Sequence, residues 1–90
     1  MTAIDGSHRG MRLVTLRYWA GARAAAGVTE ETFEAGPRVG DVLDAAVTAH
    51  PALRDVVAVC SVLLDGRSVG RDAEVGEDKV VEVLPPFAGG

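Results

Sequence analysis

The chain predicts an α+β fold, a mixed sheet packed on one face by a single main helix, and three features of its 90 residues carry that reading. Five short segments are rich in β-branched residues or alternate in polarity, whereas one segment alone repeats its apolar residues at three- and four-residue intervals for several turns. Composition agrees, because 14 Val favour strands, 14 Ala favour close packing, and only four aromatics are available to fill a core. A folded chain of this size keeps roughly 5,000 Å² exposed of the roughly 13,500 Å² that its unfolded form presents. That suffices for one core between two layers, with no second domain and no deep cofactor crevice.

Residues 1–10 are polar and without periodicity and read as a flexible leader; residues 11–84 read as the folded domain and residues 85–90 as an extended tail. From Arg12 to Trp19, Val14, Leu16 and Tyr18 share one side of an extended chain while Thr15, Arg17 and Trp19 share the other, the pattern of a half-buried strand. Ala20 to Gly27 is rich in Ala and suits one or two helical turns, ended by Gly27 with φ above zero. Val28 to Ala35 is a second, more polar strand. After the Gly36-Pro37 turn, Val39, Val42, Leu43, Ala46, Val47 and His50 repeat at helical spacing until Pro51, which predicts the main helix over Val39 to Ala49. Arg38 stands where a short polar cap is preferred, so the helix N-terminus is expected to fray, although Asp41 suits the macrodipole. PALRDV reads as a loop. Val59 to Asp65 follows as the third strand, with Cys60, Val62 and Leu64 inward and Ser61 and Leu63 outward. Asp65-Gly66 signals a hairpin into a short Arg67 to Val69 strand, and Lys79 to Leu84 forms the last strand with Val81 and Val83 inward. The first and last strands are expected side by side.

Nine Lys and Arg against 13 Asp and Glu give a net charge of −4, opposite in sign to the footprint of a nucleic-acid binder. Partners with basic surfaces fit better. No apolar run approaches the roughly 20 residues of a membrane span, and the N-terminus lacks the apolar core of a signal peptide, so a cytoplasmic chain with no membrane contact is expected. A single Cys60 cannot form an internal disulfide, and neither it nor His8 and His50 has neighbours at metal-ligand spacing, so no metal is expected. His50, at the end of the main helix, reads as a surface residue beside the last carbonyls. Cys60, flanked by Val59 and followed by Val62, reads as core packing rather than a reactive thiol.

The chain ends Pro85-Pro86-Phe87-Ala88-Gly89-Gly90. Two prolines stiffen the exit and small residues follow, so the terminal carboxylate can reach into a narrow channel of another protein. With 11 Gly in 90 residues a terminal pair arises by chance about 1–2% of the time, which makes the ending informative. Together these features resemble the MoaD/ThiS family of ubiquitin-like sulfur carriers over nearly all of Met11 to Gly90. The resemblance rests on Tyr18-Trp19-Ala20 with Arg23 and Gly27 following, on the Val39-Gly40-Asp41-Val42-Leu43 helix start, and above all on the PPFAGG ending.

That resemblance implies a ubiquitin-like β-grasp fold and a protein that supplies a reagent, with no complete active site of its own. An E1-like adenylating enzyme would activate Gly90 with ATP, and sulfur would replace AMP to leave a thiocarboxylate for a partner enzyme to consume. Gly89 would be the slender residue that gives the tail access. No cofactor would be bound permanently, since ATP is used by the activating enzyme. Pro85-Pro86 before a hydrophobic residue and Ala-Gly-Gly looks most like the branch serving molybdopterin (molybdenum cofactor) biosynthesis, which implies the MoaE-like large subunit of molybdopterin synthase as a second partner. Two alternatives stay open: a carrier for thiamin, cysteine or secondary-metabolite biosynthesis, and a ubiquitin-like modifier or interaction module.

Trp19, Leu63 and Leu84 fall on the outward sides of three strands, and the first strand is expected between the other two. With Phe87 they are expected to form one apolar docking patch. Arg23, where the family often carries arginine, joins them as a partner-binding candidate and would serve equally as a solvated helix residue.

Overall fold

Residues 11–86 are described by the computed structural model of this chain. Along β1 (Arg12–Tyr18) every second residue turns inward, and Val14, Leu16 and Tyr18 are fully buried. β1 pairs antiparallel with β2 (Glu30–Ala35) on one edge and parallel with β5 (Lys79–Leu84) on the other, so the first and last strands do lie side by side. β3 (Ser61–Leu64) pairs antiparallel with the far edge of β5, and β4 (Arg67–Ser68) completes a five-stranded mixed sheet of order β2-β1-β5-β3-β4. Of the three strands that carry Trp19, Leu63 and Leu84, the one flanked by the other two is therefore β5 and not β1. Because β2 already occupies one edge of β1, only β5 has both edges free to receive β1 and β3.

Asp65 and Gly66 connect β3 to β4 with φ of 54° and 78°. Two successive positive values are the hairpin turn whose twist matches its strands, and they explain why Gly follows Asp there.

Among the described residues, three helices pack on the inner face: α1 (Ala20–Ala26), α2 (Val39–Ala49) and α3 (Leu53–Val59). Ala22 and Ala26 of α1, Val39, Val42, Leu43 and Ala46 of α2, and Leu53 and Val57 of α3 join the inward strand residues in one core. The expected single helix thus has two short companions. PALRDV is not a loop: Leu53 and Val57 fall four apart on one face, and Pro51 sits ahead of the first turn, where its missing N–H leaves no bond unmade. α3 runs on through Val59, which shortens the third strand to Ser61–Leu64 and leaves Cys60 half-buried at the junction. Likewise β1 ends at Tyr18, Trp19 caps α1, and β2 begins at Glu30.

The first turn of α2 is held both by its own Asp41 and from outside its own sequence. The Asp41 carboxylate accepts the Arg38 N–H at 3.0 Å, and the Val39 and Gly40 N–H groups donate to the carbonyls of Ala73 and Arg71, each at 2.9 Å. The Arg38 guanidinium donates to the Asp72 carbonyl at 2.7 Å, 34 residues away. The loop between β4 and β5 supplies what a Ser or Asp cap would have supplied.

Candidate docking face and tail root

Since β1 and β5 are parallel, both end at the same edge of the sheet. Tyr18, the last paired residue of β1, stands opposite Val83, and the Trp19 N–H donates to the Val83 carbonyl at 3.1 Å, so Trp19 continues past the ladder at the end where Leu84 closes β5. β3 runs the other way, so Ser61 faces Leu84 and Leu63 faces Glu82, which sets Leu63 diagonally across from Leu84. Trp19 is 41% exposed, while Leu63 and Leu84 are half-buried. The fold thus brings three of the sequence-predicted residues together, at the edge from which Pro85 and Pro86 leave the sheet. Phe87, Gly89 and Gly90 lie outside the described residues. Arg23 is exposed on α1, one turn beyond Trp19.

A charged row crosses this face, and sequence reading had not joined its members. Glu30 on β2, Arg17 on β1, Glu82 on β5 and Leu63 on β3 stand directly opposite one another in turn. The Arg17 Nε–H donates to Glu30 Oε1 at 3.1 Å, and Arg17 Nη1 lies 3.9 Å from Glu82 Oε2. The Trp19 indole N–H donates to the same Glu82 oxygen at 3.3 Å. Period-two alternation already places Arg17 and Glu82 outward, so the signal was present; only the register shows that they meet.

On the inner side, the Tyr18 hydroxyl donates to Glu31 Oε2 at 2.6 Å, and His50 Nε2 lies 2.7 Å from that same oxygen. His50 is therefore a half-buried link between the end of α2 and the edge strand, and not the surface residue expected from its position. Burial, then the hydrogen bond to Glu31, then the charge of Glu31 all push the Tyr18 phenol well above its ordinary value, so it stays a neutral donor. Burial likewise pushes the Cys60 thiol up, and Cys60 packs against the core. A thiol kept protonated is a poor nucleophile, in keeping with a packing role. No helix among the described residues is long and apolar enough to cross a membrane.

The arrangement leaves an exposed tryptophan and two half-buried leucines at the edge of the sheet from which Pro85 and Pro86 leave. Over 81 residues the chain is 37% identical to the molybdopterin synthase sulfur carrier subunit of Chlamydomonas reinhardtii, covering 86% of this chain and 98% of that one. The solution structure of small archaeal modifier protein 1 from Methanosarcina acetivorans superposes with a TM-score of 0.79 at 26% identity, covering 89% of this chain and 98% of that one. A protein assigned as molybdopterin converting factor subunit 1 from Pyrococcus furiosus superposes with a TM-score of 0.76 at 31% identity, covering 84% and 99% respectively. The β-grasp reading of the fold holds, and with residues 16–90 matching the ThiS family, the chain belongs to that family.

Proposed function

We propose that the protein is a sulfur carrier in molybdopterin biosynthesis, with Gly90 as the reactive residue and Gly89 as the slender residue behind it. The observation that carries this reading is the family match, which runs to Gly90. The likeness to a sulfur carrier subunit over most of both chains supports it. The parallel β1–β5 pair supports it as well, because a partner gripping Trp19, Leu63 and Leu84 receives the tail from the same edge. From Leu84 to Gly90 an extended chain spans roughly 20 Å, enough to enter a channel in that partner.

A carboxylate is a poor electrophile until it is joined to phosphate. The Gly90 carboxylate attacks the α-phosphorus of ATP in an E1-like enzyme and pyrophosphate leaves; hydrosulfide then attacks the acyl carbon and displaces AMP, leaving the thiocarboxylate. The resulting thiocarboxylate serves a MoaE-like large subunit, which binds the carrier through the docking face, with Phe87 and Arg23 as further contacts. The proposed site of action is the cytoplasm, where ATP for the activating step is at hand. Incubation with the E1-like enzyme, ATP and a sulfur source is expected to exchange one oxygen for one sulfur in the intact mass. Deleting Gly90 withdraws the carboxylate by roughly 3.5 Å, beyond the misplacement that already costs a reaction about a hundredfold, and is expected to abolish the exchange with the fold intact.

A second reading is favoured by the likeness to small archaeal modifier protein 1. As a modifier the chain would leave the same activating step linked to lysines of other proteins, with no sulfur gained in its own mass.

A further inference from the structure

Glu82 is a carboxylate set among the three apolar residues of the docking face. Trp19 and Leu84 lie to one side along the sheet, and Leu63 lies directly opposite on β3. Its side chain is 27% exposed, against 41% for Arg17 and 49% for Glu30. Arg17 is the nearest cation, but its close partner is Glu30 at 3.1 Å, and it stands 3.9 Å from Glu82. The Trp19 indole adds a hydrogen bond without charge. Two carboxylates thus share one guanidinium, and the surplus negative charge sits on the inner of the two, inside the apolar rim.

A protein that covers Trp19, Leu63 and Leu84 also strips water from Glu82. Burying a carboxylate that is only partly countered is costly unless the incoming surface supplies its counter-charge. We propose that Glu82 is the specificity-determining residue of the docking face, and that the partner presents a basic side chain to it, an arginine by preference, within an apolar surround. Arginine suits the place because its planar guanidinium can accompany the indole and meet a carboxylate with two N–H groups. The net charge of −4 favours approach of a basic surface in the same direction. This inference rests on the docking reading above.

The competing role for Glu82 is to hold the Trp19 ring and nothing more. Glu82→Gln separates the two, since the amide oxygen still accepts the indole N–H while the charge is gone. Affinity for the cognate synthase large subunit would be measured by calorimetry at low and high salt for the parent, Glu82→Gln, Glu82→Asp, Glu82→Lys and Trp19→Ala, with melting curves for each. Glu82→Gln is expected to bind about thirtyfold more weakly and to lose most of the salt dependence, while Glu82→Asp keeps that dependence and Glu82→Lys binds more weakly still. If Trp19→Ala weakens binding but Glu82→Gln matches the parent at both salt concentrations, Glu82 is only a prop for the indole and the inference is overturned. If Trp19→Ala also matches the parent, the docking reading itself fails and takes the inference with it.

Discussion

Tyr18 and Trp19 are neighbours in sequence and opposites in surroundings: Tyr18 is fully buried, whereas Trp19 is 41% exposed. One residue of strand alternation separates the face that holds the fold together from the face left open to solvent and proposed for docking. On the inner face, the buried residues of β1, β3 and β5 meet three helices in a single apolar core, and the Tyr18 hydroxyl apart, no charged or polar side chain is buried with them among the described residues. On the outer face, Leu13, Trp19 and Val80 stay substantially exposed and an ion row crosses between them. A domain this small draws most of its stability from one core, so apolar residues placed outside that core contribute little to folding. The difference teaches which mutations should act on stability and which on binding.

The sharpest way to break the comparison is to exchange those outcomes. Leu16→Ala empties a fully buried site on β1, which has strands on both edges, and is expected to cost about 3 kcal/mol of unfolding free energy. That is a large share of a total of about 5–15 kcal/mol, and denaturant titration should show it directly. A loss below about 1 kcal/mol would mean that the inner face is not where stability resides. Trp19→Ala is the counterpart. It should cost about 2 kcal/mol of binding to the large subunit or the activating enzyme, while unfolding free energy changes by under about 1 kcal/mol. A Trp19→Ala protein that melts early yet binds normally would reverse the assignment of the two faces.

How far the sequence disclosed this division depends on the range of the interaction involved. Strand alternation is local, so the inward set of β1 and β5 and the outward placement of Trp19 were legible from residue types alone. The Lys79–Leu84 strand and the Val39–Ala49 helix also emerged with the boundaries that the structure shows. α3 was missed because Pro51 invites a loop reading, and only two buried positions, Leu53 and Val57, mark its face. Strand order was beyond local reasoning. Whether β1 or β5 is flanked on both edges depends on pairings between segments more than 60 residues apart, such as Val14 with Lys79. The same holds for the candidate site. The residue types of the patch could be read, but the Glu82 carboxylate among them follows from register, and the Tyr18–Glu31–His50 contact follows from the meeting of three elements.

That contact gives the smallest and most specific test of the inner face, because Tyr18 is its one deeply buried residue with a polar end. Tyr18→Phe keeps the ring and removes the hydroxyl that donates to Glu31, so near neutral pH it should cost about 1 kcal/mol. The pH dependence carries the stronger prediction. In the folded chain the phenol is raised above its ordinary value near 10, and in the unfolded chain it is not. Below pH 10 both states keep the proton and the hydroxyl's stabilising contribution is complete. Above pH 10 the unfolded state releases the proton while the folded state retains it, so the stability of the parent declines by about 1.4 kcal/mol per pH unit from this group. Tyr18→Phe has no such proton, and every other titrating group is common to both proteins and cancels in the difference. The advantage of the parent should therefore hold steady from pH 7 to 9 and vanish near pH 11. Parallel alkaline limbs, measured by urea unfolding at each pH, would show that Tyr18 titrates alike in both states and that its hydroxyl is not sealed against Glu31.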